Sequence, residues 1–380
     1  MGGAVGALAV GAMKAQTTLG SMNLGVEEVV ADIGDDTVIN SGAFVLRAIS
    51  NDDIFADGEA LSGGLVGVAG ADVDTRTHED AVARIGDNVF ISTGTLEILA
   101  NHVQSVDARG SATAFGLGAG TGVDVDNMVL AQSVVDIGEN SSLFASDIYI
   151  DAKNVLSKER FRTGFNPDSG SVGAVSISVL TSTTIIGIDG HTFDAGVDIG
   201  EGTILRVESP PGEQTPVIGA ASRDAPVIEI ETYVNAKAVD NVKVEAVSGL
   251  VGGAKGLSEI FANLNSQVNV TGAQIVNASG DVFFTTMTDT LIRPNANLTV
   301  ASGLTGGAFA NVETVTVSVN EVNLTDSYVR GADISLFGGE NAIRVPNKLF
   351  SFADARCSPR RCCPRSRFPT SWRRSMNATA

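Results

Sequence analysis

Carboxylates at alternate positions are the residues with the plainest capacity for chemistry. Asp72 and Asp74 are two apart, as are Asp124 and Asp126. In an extended strand such a pair leaves the same face. The second pair follows the first by 52 residues, so the acids belong to a repeating unit. Stacked carboxylates of this kind are candidate ligands for Ca²⁺, a hard cation that takes oxygen donors. Solvated outward faces are the simpler reading of Asp72, Asp74, Asp124 and Asp126. No other cofactor is expected.

The remaining reactive side chains fall into no known catalytic pattern, and no catalytic residue is assigned. His78, His102 and His191 are the three histidines, and none lies in a metalloprotease or nucleophile-elbow motif. They read as solvent-exposed loop histidines. Cys357, Cys362 and Cys363 all lie near the C-terminus. Cysteine is absent before them, which excludes a disulfide scaffold or a thiolate metal site in the body. A zinc site in the tail would lack paired spacing and histidines. A polysaccharide lyase is the enzymatic alternative, with several carboxylates and a basic residue in one groove. Here the acids follow the repeat, and basic residues are scarce outside Lys158, Arg160 and Arg162.

The elements that would position these groups repeat. Ile33-Gly34-Asp35 returns as Ile85-Gly86-Asp87, and Glu27, Val30, Ala31, Ile39, Gly42 and Ala48 all recur at the same offset of 52. Val134–Glu139 is a third copy at 52, and Asp198–Glu201 a fourth after 62. In the C-terminal half Ser248–Ala254 (SGLVGGA) returns as Ser302–Ala308 (SGLTGGA), and Val268–Thr271 as Val322–Thr325, at an offset of 54. Within each unit apolar and polar residues alternate, as in Val315, Val317 and Val319 against Thr314, Thr316 and Ser318. Period two means strand. Gly, Asn, Asp and Ser between the strands supply positive-φ turn positions. The expected fold is all-β, a parallel β-helix (β-solenoid) built from repeats of 52–54 residues. Coils of about twenty residues would place two or three in each repeat.

Composition agrees. Aromatic residues are 5% and hydrophobic residues 43%, with 43 glycines, which suits a narrow core of small side chains. The seven arginines after Ala355 leave 18 of the 25 basic residues to face 44 acids, a net of −26. Such a surface disfavours nucleic acid and anionic membrane. No apolar run is long enough for a transmembrane segment, and Met1–Met13 reads as a repeat element, not a signal peptide. Residues 1–351 form the repetitive body, interrupted by Ser157–Gly170 and by a Pro-rich insertion at about 208–226 that should loop out of the stack. Residues 352–380 form an Arg-, Cys- and Pro-rich tail outside the solenoid, read as the product of a shifted reading frame or, alternatively, a functional basic tail. Both ends interrupt the pattern, so the chain reads as a fragment.

The units GDDTVINSGAFVLRA, GDNVFISTGTLEILA and ASGDVFFTTMTDT, with SGLVGGA-type stretches between them, resemble repeats of filamentous-haemagglutinin-like adhesins and related autotransporter passengers. Gly120–Asp126 (GTGVDVD) also resembles the calcium-roll nonapeptide. The adhesin resemblance covers about 2–341. It implies a right-handed parallel β-helix, export to the bacterial outer surface, and a non-catalytic role as an adhesive or biofilm stalk. The implied partners are a host or neighbouring-cell surface, a glycan or a matrix component. No export signal or secretion domain is visible in the chain.

Overall fold

The computed structural model describes residues 2–20, 25–158, 167–207, 226–339, 349–351 and 354–360. Within them the chain is all-β: every regular element is a strand and none is a helix. The strands pair in parallel, each stretch of chain lying on the next. The first layer holds β1 (Gly2–Leu19), β2 (Glu27–Ile33) and β3 (Val38–Asn40), and the second β4 (Ala43–Ile85) and β5 (Phe90–Ser92). The third contains β6 (Thr95–Ile137) and β7 (Ser142–Ala145); the fourth has β8 (Asp147–Lys158), β9 (Asp168–Ile186), β10 (Phe193–Ile199) and β11 (Ile204–Val207). The fifth layer is β12 (Val227–Val239), β13 (Val242–Thr271) and β14 (Gln274–Asn277). The sixth is β15 (Asp281–Arg293), β16 (Asn295–Ser302), β17 (Thr305–Thr325) and β18 (Tyr328–Arg330). Finally β19 (Ile334–Gly338), β20 (Leu349–Ser351) and β21 (Asp354–Arg360) pair onto β15 and β16.

The repeat length is the stacking length. Ala43 pairs with Thr95 and Ile85 with Ile137, an offset of 52 from one end of β4 to the other. β12 meets β15, and β13 meets β16 and β17, at 54. Coils of about twenty residues are therefore not found: among the described residues no ladder closes over fewer than 52. The reason is that β4 and β6 are too long to run straight. Ser50 and Glu79 of β4, 29 residues apart, come within 3.5 Å, so the strand folds back on itself and the chain traverses two long legs and a short strand before meeting its own copy.

Two kinds of corner make this possible. At the far bend the ladder skips Gly64-Leu65 against Gly116-Leu117. A Cβ at Gly64, Gly116, Gly173 or Gly303 would collide with the carbonyl oxygen of a glycine in the preceding layer, so only glycine lets the backbones approach so closely. At the near corner one residue per layer is left-handed: Asp36, Asn88 and Asn140, then Gly202, Gly272 and Asp326, with φ between 50° and 73°. Asn, Asp and Gly are the residues that tolerate this region. The Asp35 carboxylate accepts from the Asp87 N–H at 2.8 Å, and Asp87 does the same for Glu139 at 2.8 Å, tying successive corners together. Beyond that corner β3, β5, β7, β11, β14 and β18 form their own six-stranded parallel sheet.

Side chains facing inward make two apolar clusters. One, near the short strands, is built from large residues such as Ile85, Ile91, Ile98, Leu143, Ile150 and Phe193. The other, toward the glycine bend, is mostly Ala and Val, including Ala60, Ala71, Ala112 and Val125. There the legs are so close that a Cβ on Gly110 would sit 3.0 Å from a Val125 methyl. Fully burying one Ile or Leu contributes about 1.5–3 kcal/mol, so the larger cluster dominates stability.

The insertions are absorbed with a single register shift among the described residues, between Ser248 and Val251 where β13 meets β9. The offset rises from 52 to 57 between β8 and β9, and to 62 at β10. It reaches 80 at β12, after the Pro-rich insertion. Residues 208–225 of that insertion fall outside the described residues, as do 159–166 and, in the 352–380 tail, 352–353 and 361–380, while tail residues 354–360 pair on β16 as β21.

Candidate functional site

The four sequence-selected aspartates do come together. Asp72 pairs with Asp124 and Asp74 with Asp126, giving a two-by-two array on the outward face. Lys14 of β1 reaches it, 2.9 Å from Asp72 and 3.6 Å from Asp74, and Arg76 lies 3.7 Å from Asp74. Burial raises the pKa of Asp124, and the neighbouring Asp72 and Asp74 raise it further. Asp126 is raised by burial and then by Asp124 and Asp74. Their oxygens do not converge, however. Among the described residues, three ligating atoms lie within 4.8 Å of one another in one group only, Asp52, Glu79 and His102.

That group was missed in the sequence because its histidine was read as exposed. His102 is 0% exposed and His78 only 7%; both lie in strands, not loops. His102 points inward because it stands on the same alternation as Leu96, Ile98 and Ala100, which are all buried. His78 points outward but is covered by the turn before β10, where His191 packs edge-on at 5.4 Å. Burial and then His191 lower the pKa of His78.

Around His102 the hydrogen bonds fix every orientation. Asn154, directly above it in the ladder, donates from its amide nitrogen to the carbonyls of Ala131 and Asp194, both at 2.9 Å. Its amide oxygen therefore faces the His102 ring, 2.8 Å from Nδ1. Nδ1 carries the proton, and Nε2 points at Glu79 Oε2, 3.2 Å away. Gln104 donates to Glu79 Oε1 at 2.6 Å and accepts from the Thr77 hydroxyl at 3.1 Å. Ser50 donates to Asp52. Burial raises the Glu79 pKa against the lowering pull of His102. In Asp52 the upward push of burial is outweighed by hydrogen bonds with Glu79 and Ser50, and its pKa is lowered.

A second polar chain runs between the two apolar clusters. Thr75 donates to Asn127 at 2.7 Å, and Asn127 reaches Thr184 at 3.5 Å. Lys158 donates to Thr184 and to Asp240, each at 2.6 Å. Asp240 also accepts from Ser182 at 2.6 Å and Ser258 at 3.3 Å. Lys158 and Asp240 are 2% and 3% exposed, so this ion pair is buried and hydrogen-bonded on both sides. It links the second layer to the fifth.

The surface offers one further feature. A cavity of about 190 Å³ is lined by Thr113, Asp168, Lys243 and Glu245 among others. Lys243 and Glu245 pair at 3.0 Å and are half-exposed.

No protein-family model, curated protein or solved structure matches the chain. Its class is therefore defined by the architecture: an all-β chain of long parallel strands, stacked at the period of its own sequence repeat. Among the described residues no helix is long and apolar enough to cross a membrane.

Proposed function

We propose that the chain is a parallel β-solenoid serving as a non-catalytic, adhesive segment of a large exported bacterial surface protein, engaged with a glycan, matrix component or cell surface. The observation carrying this reading is the constant register of β4 on β6, an offset of 52 held from Ala43 to Ile85 on both sides of the glycine bend. Such a ladder adds repeat upon repeat with the same contacts, and repeat proteins use it to build broad binding faces. The inward polar groups favour structure as well, since most are partnered inside the stack. The acidic outer face is suited to a neutral glycan or protein partner more than to an anionic one.

Chain immobilised on beads should be retained on matrix or glycan surfaces well above an equally acidic control protein. Equal retention of chain and control defeats the adhesive reading. A second reading, a carbohydrate-active β-helix enzyme, is favoured by the cavity holding Asp168, Lys243 and Glu245. Turnover of a uronic-acid polymer that is abolished in Glu245→Gln would establish that reading instead.

A further inference from the structure

We propose that Asp52, Glu79 and His102 bind one divalent transition-metal cation of the zinc type. The case begins with the His102 ring. Because Asn154 is held by two backbone carbonyls, it can only accept from His102 Nδ1, which makes Nε2 the nitrogen available to a metal. That nitrogen faces Glu79 Oε2 at 3.2 Å. Gln104 occupies the other Glu79 oxygen, while Oε2 faces the ring and has the Ser50 hydroxyl 3.5 Å away. An oxygen of Asp52 completes the set, all three ligating atoms being within 4.8 Å of one another. Three potential ligands therefore converge where His102 and Glu79 are 0% and 1% exposed, and carboxylates crowded together out of water repel one another unless a proton or a cation lies between them. A cation at their centre satisfies all three at once.

The donor set selects the metal. One imidazole nitrogen and two carboxylate oxygens suit zinc and its neighbours, whereas Ca²⁺ takes six to eight oxygens. A ring whose far nitrogen is fixed by a hydrogen bond is also how proteins orient a metal-binding histidine. Asp52 is only half-buried, and among the described residues 43–59 of β4 pair with β6.

Stacking does not impose this cluster. In the ladder His102 replaces Ser50 below and is replaced by Asn154 above; Glu79 gives way to Ala131, and Asp52 to Gln104 and then Leu156. Three ionisable residues from two adjacent layers meet here, and of their ladder counterparts only Glu27, below Glu79, is charged. The site is independent of whether the protein is adhesive. Its rival is a proton-only cluster, with hydrogens in place of the cation.

The test uses the full chain with Cys357, Cys362 and Cys363 changed to serine, so that tail thiols cannot compete. After chelation and reloading with Zn²⁺, elemental analysis should find one zinc per chain, and the melting temperature should rise and fall with zinc and chelator. Co²⁺ should give weak visible bands without a thiolate band. Asp52→Asn, Glu79→Gln and His102→Gln should each weaken binding at least tenfold, while Asp72→Asn with Asp74→Asn should leave it unchanged. If His102→Gln fails to fold, Asp52→Asn, at the half-buried member of the set, still decides the question. Zinc that binds Asp52→Asn as tightly as the parent, or a parent that retains none and melts unchanged, overturns the proposal and leaves the proton-only cluster.

Discussion

Asp80 shows how the ladder sets the chemistry of single residues. It stands on the outward face of β4 directly against Glu28 of β2, and its Oδ1 is buried with no hydrogen-bond partner. Burial, and then the Glu28 charge, push its pKa up to about 6. The folded chain thus binds a proton here that the unfolded chain releases from pH about 4 upward. The contribution of Asp80 to stability is greatest below that range and declines as pH rises to about 6. Asp80→Asn should remove this decline and stabilise the protein at pH 7 by about 1 kcal/mol, a figure reduced from the full shift because the side chain is partly solvated. Urea titrations at pH 4 and pH 7 would measure it. An unchanged difference between the two pH values would place the effect in the other raised acids, Asp136 and Asp194 among them.

Between elements, the most consequential contact is Lys158 of β8 with Asp240, which lies between β12 and β13. Removing one partner leaves the other charged and buried, at a cost of about 3–5 kcal/mol. Lys158→Met or Asp240→Leu alone should therefore lower the urea midpoint sharply. The double variant should recover most of the loss, because apolar side chains extend the clusters on either side. If the double variant is as unstable as the sum of the singles, the pair does not act as a unit. The sequence drew attention to Lys158 only as part of a basic loop; that it turns inward follows from alternation with Asn154 and Leu156, both buried.

For the whole molecule, the correction from twenty-residue coils to a 52-residue layer changes the expected shape. A leg of about twenty residues spans about 65 Å, and seven layers at about 4.8 Å rise about 30 Å. The proposed solenoid is accordingly a slab, broader across its layers than along its stack. Duplicating residues 43–94 should lengthen one axis by about 5 Å and leave the others unchanged. Small-angle scattering on the two chains would detect this. Coils of about twenty residues would instead add about 12 Å.

The sequence by itself determined the strand content, the repeat of 52 and then 54 residues, the small-residue core and the residue types at the corners. Each of these is local: alternation is a property of successive residues, and a left-handed corner needs Asn, Asp or Gly wherever it falls. Even the pairing of Asp72 with Asp124 was legible, because a repeat that stacks on itself carries its register in its own period. What the tertiary structure alone decided was how many legs one repeat makes and which inward residues face each other across the interior. Asp52, Glu79 and His102 are spread over 50 residues and two layers, and nothing in their spacing brings them together. Their meeting depends on where the glycine bend returns the chain, and therefore on the length of each leg, a distance set by packing between strands and not by any neighbouring residue.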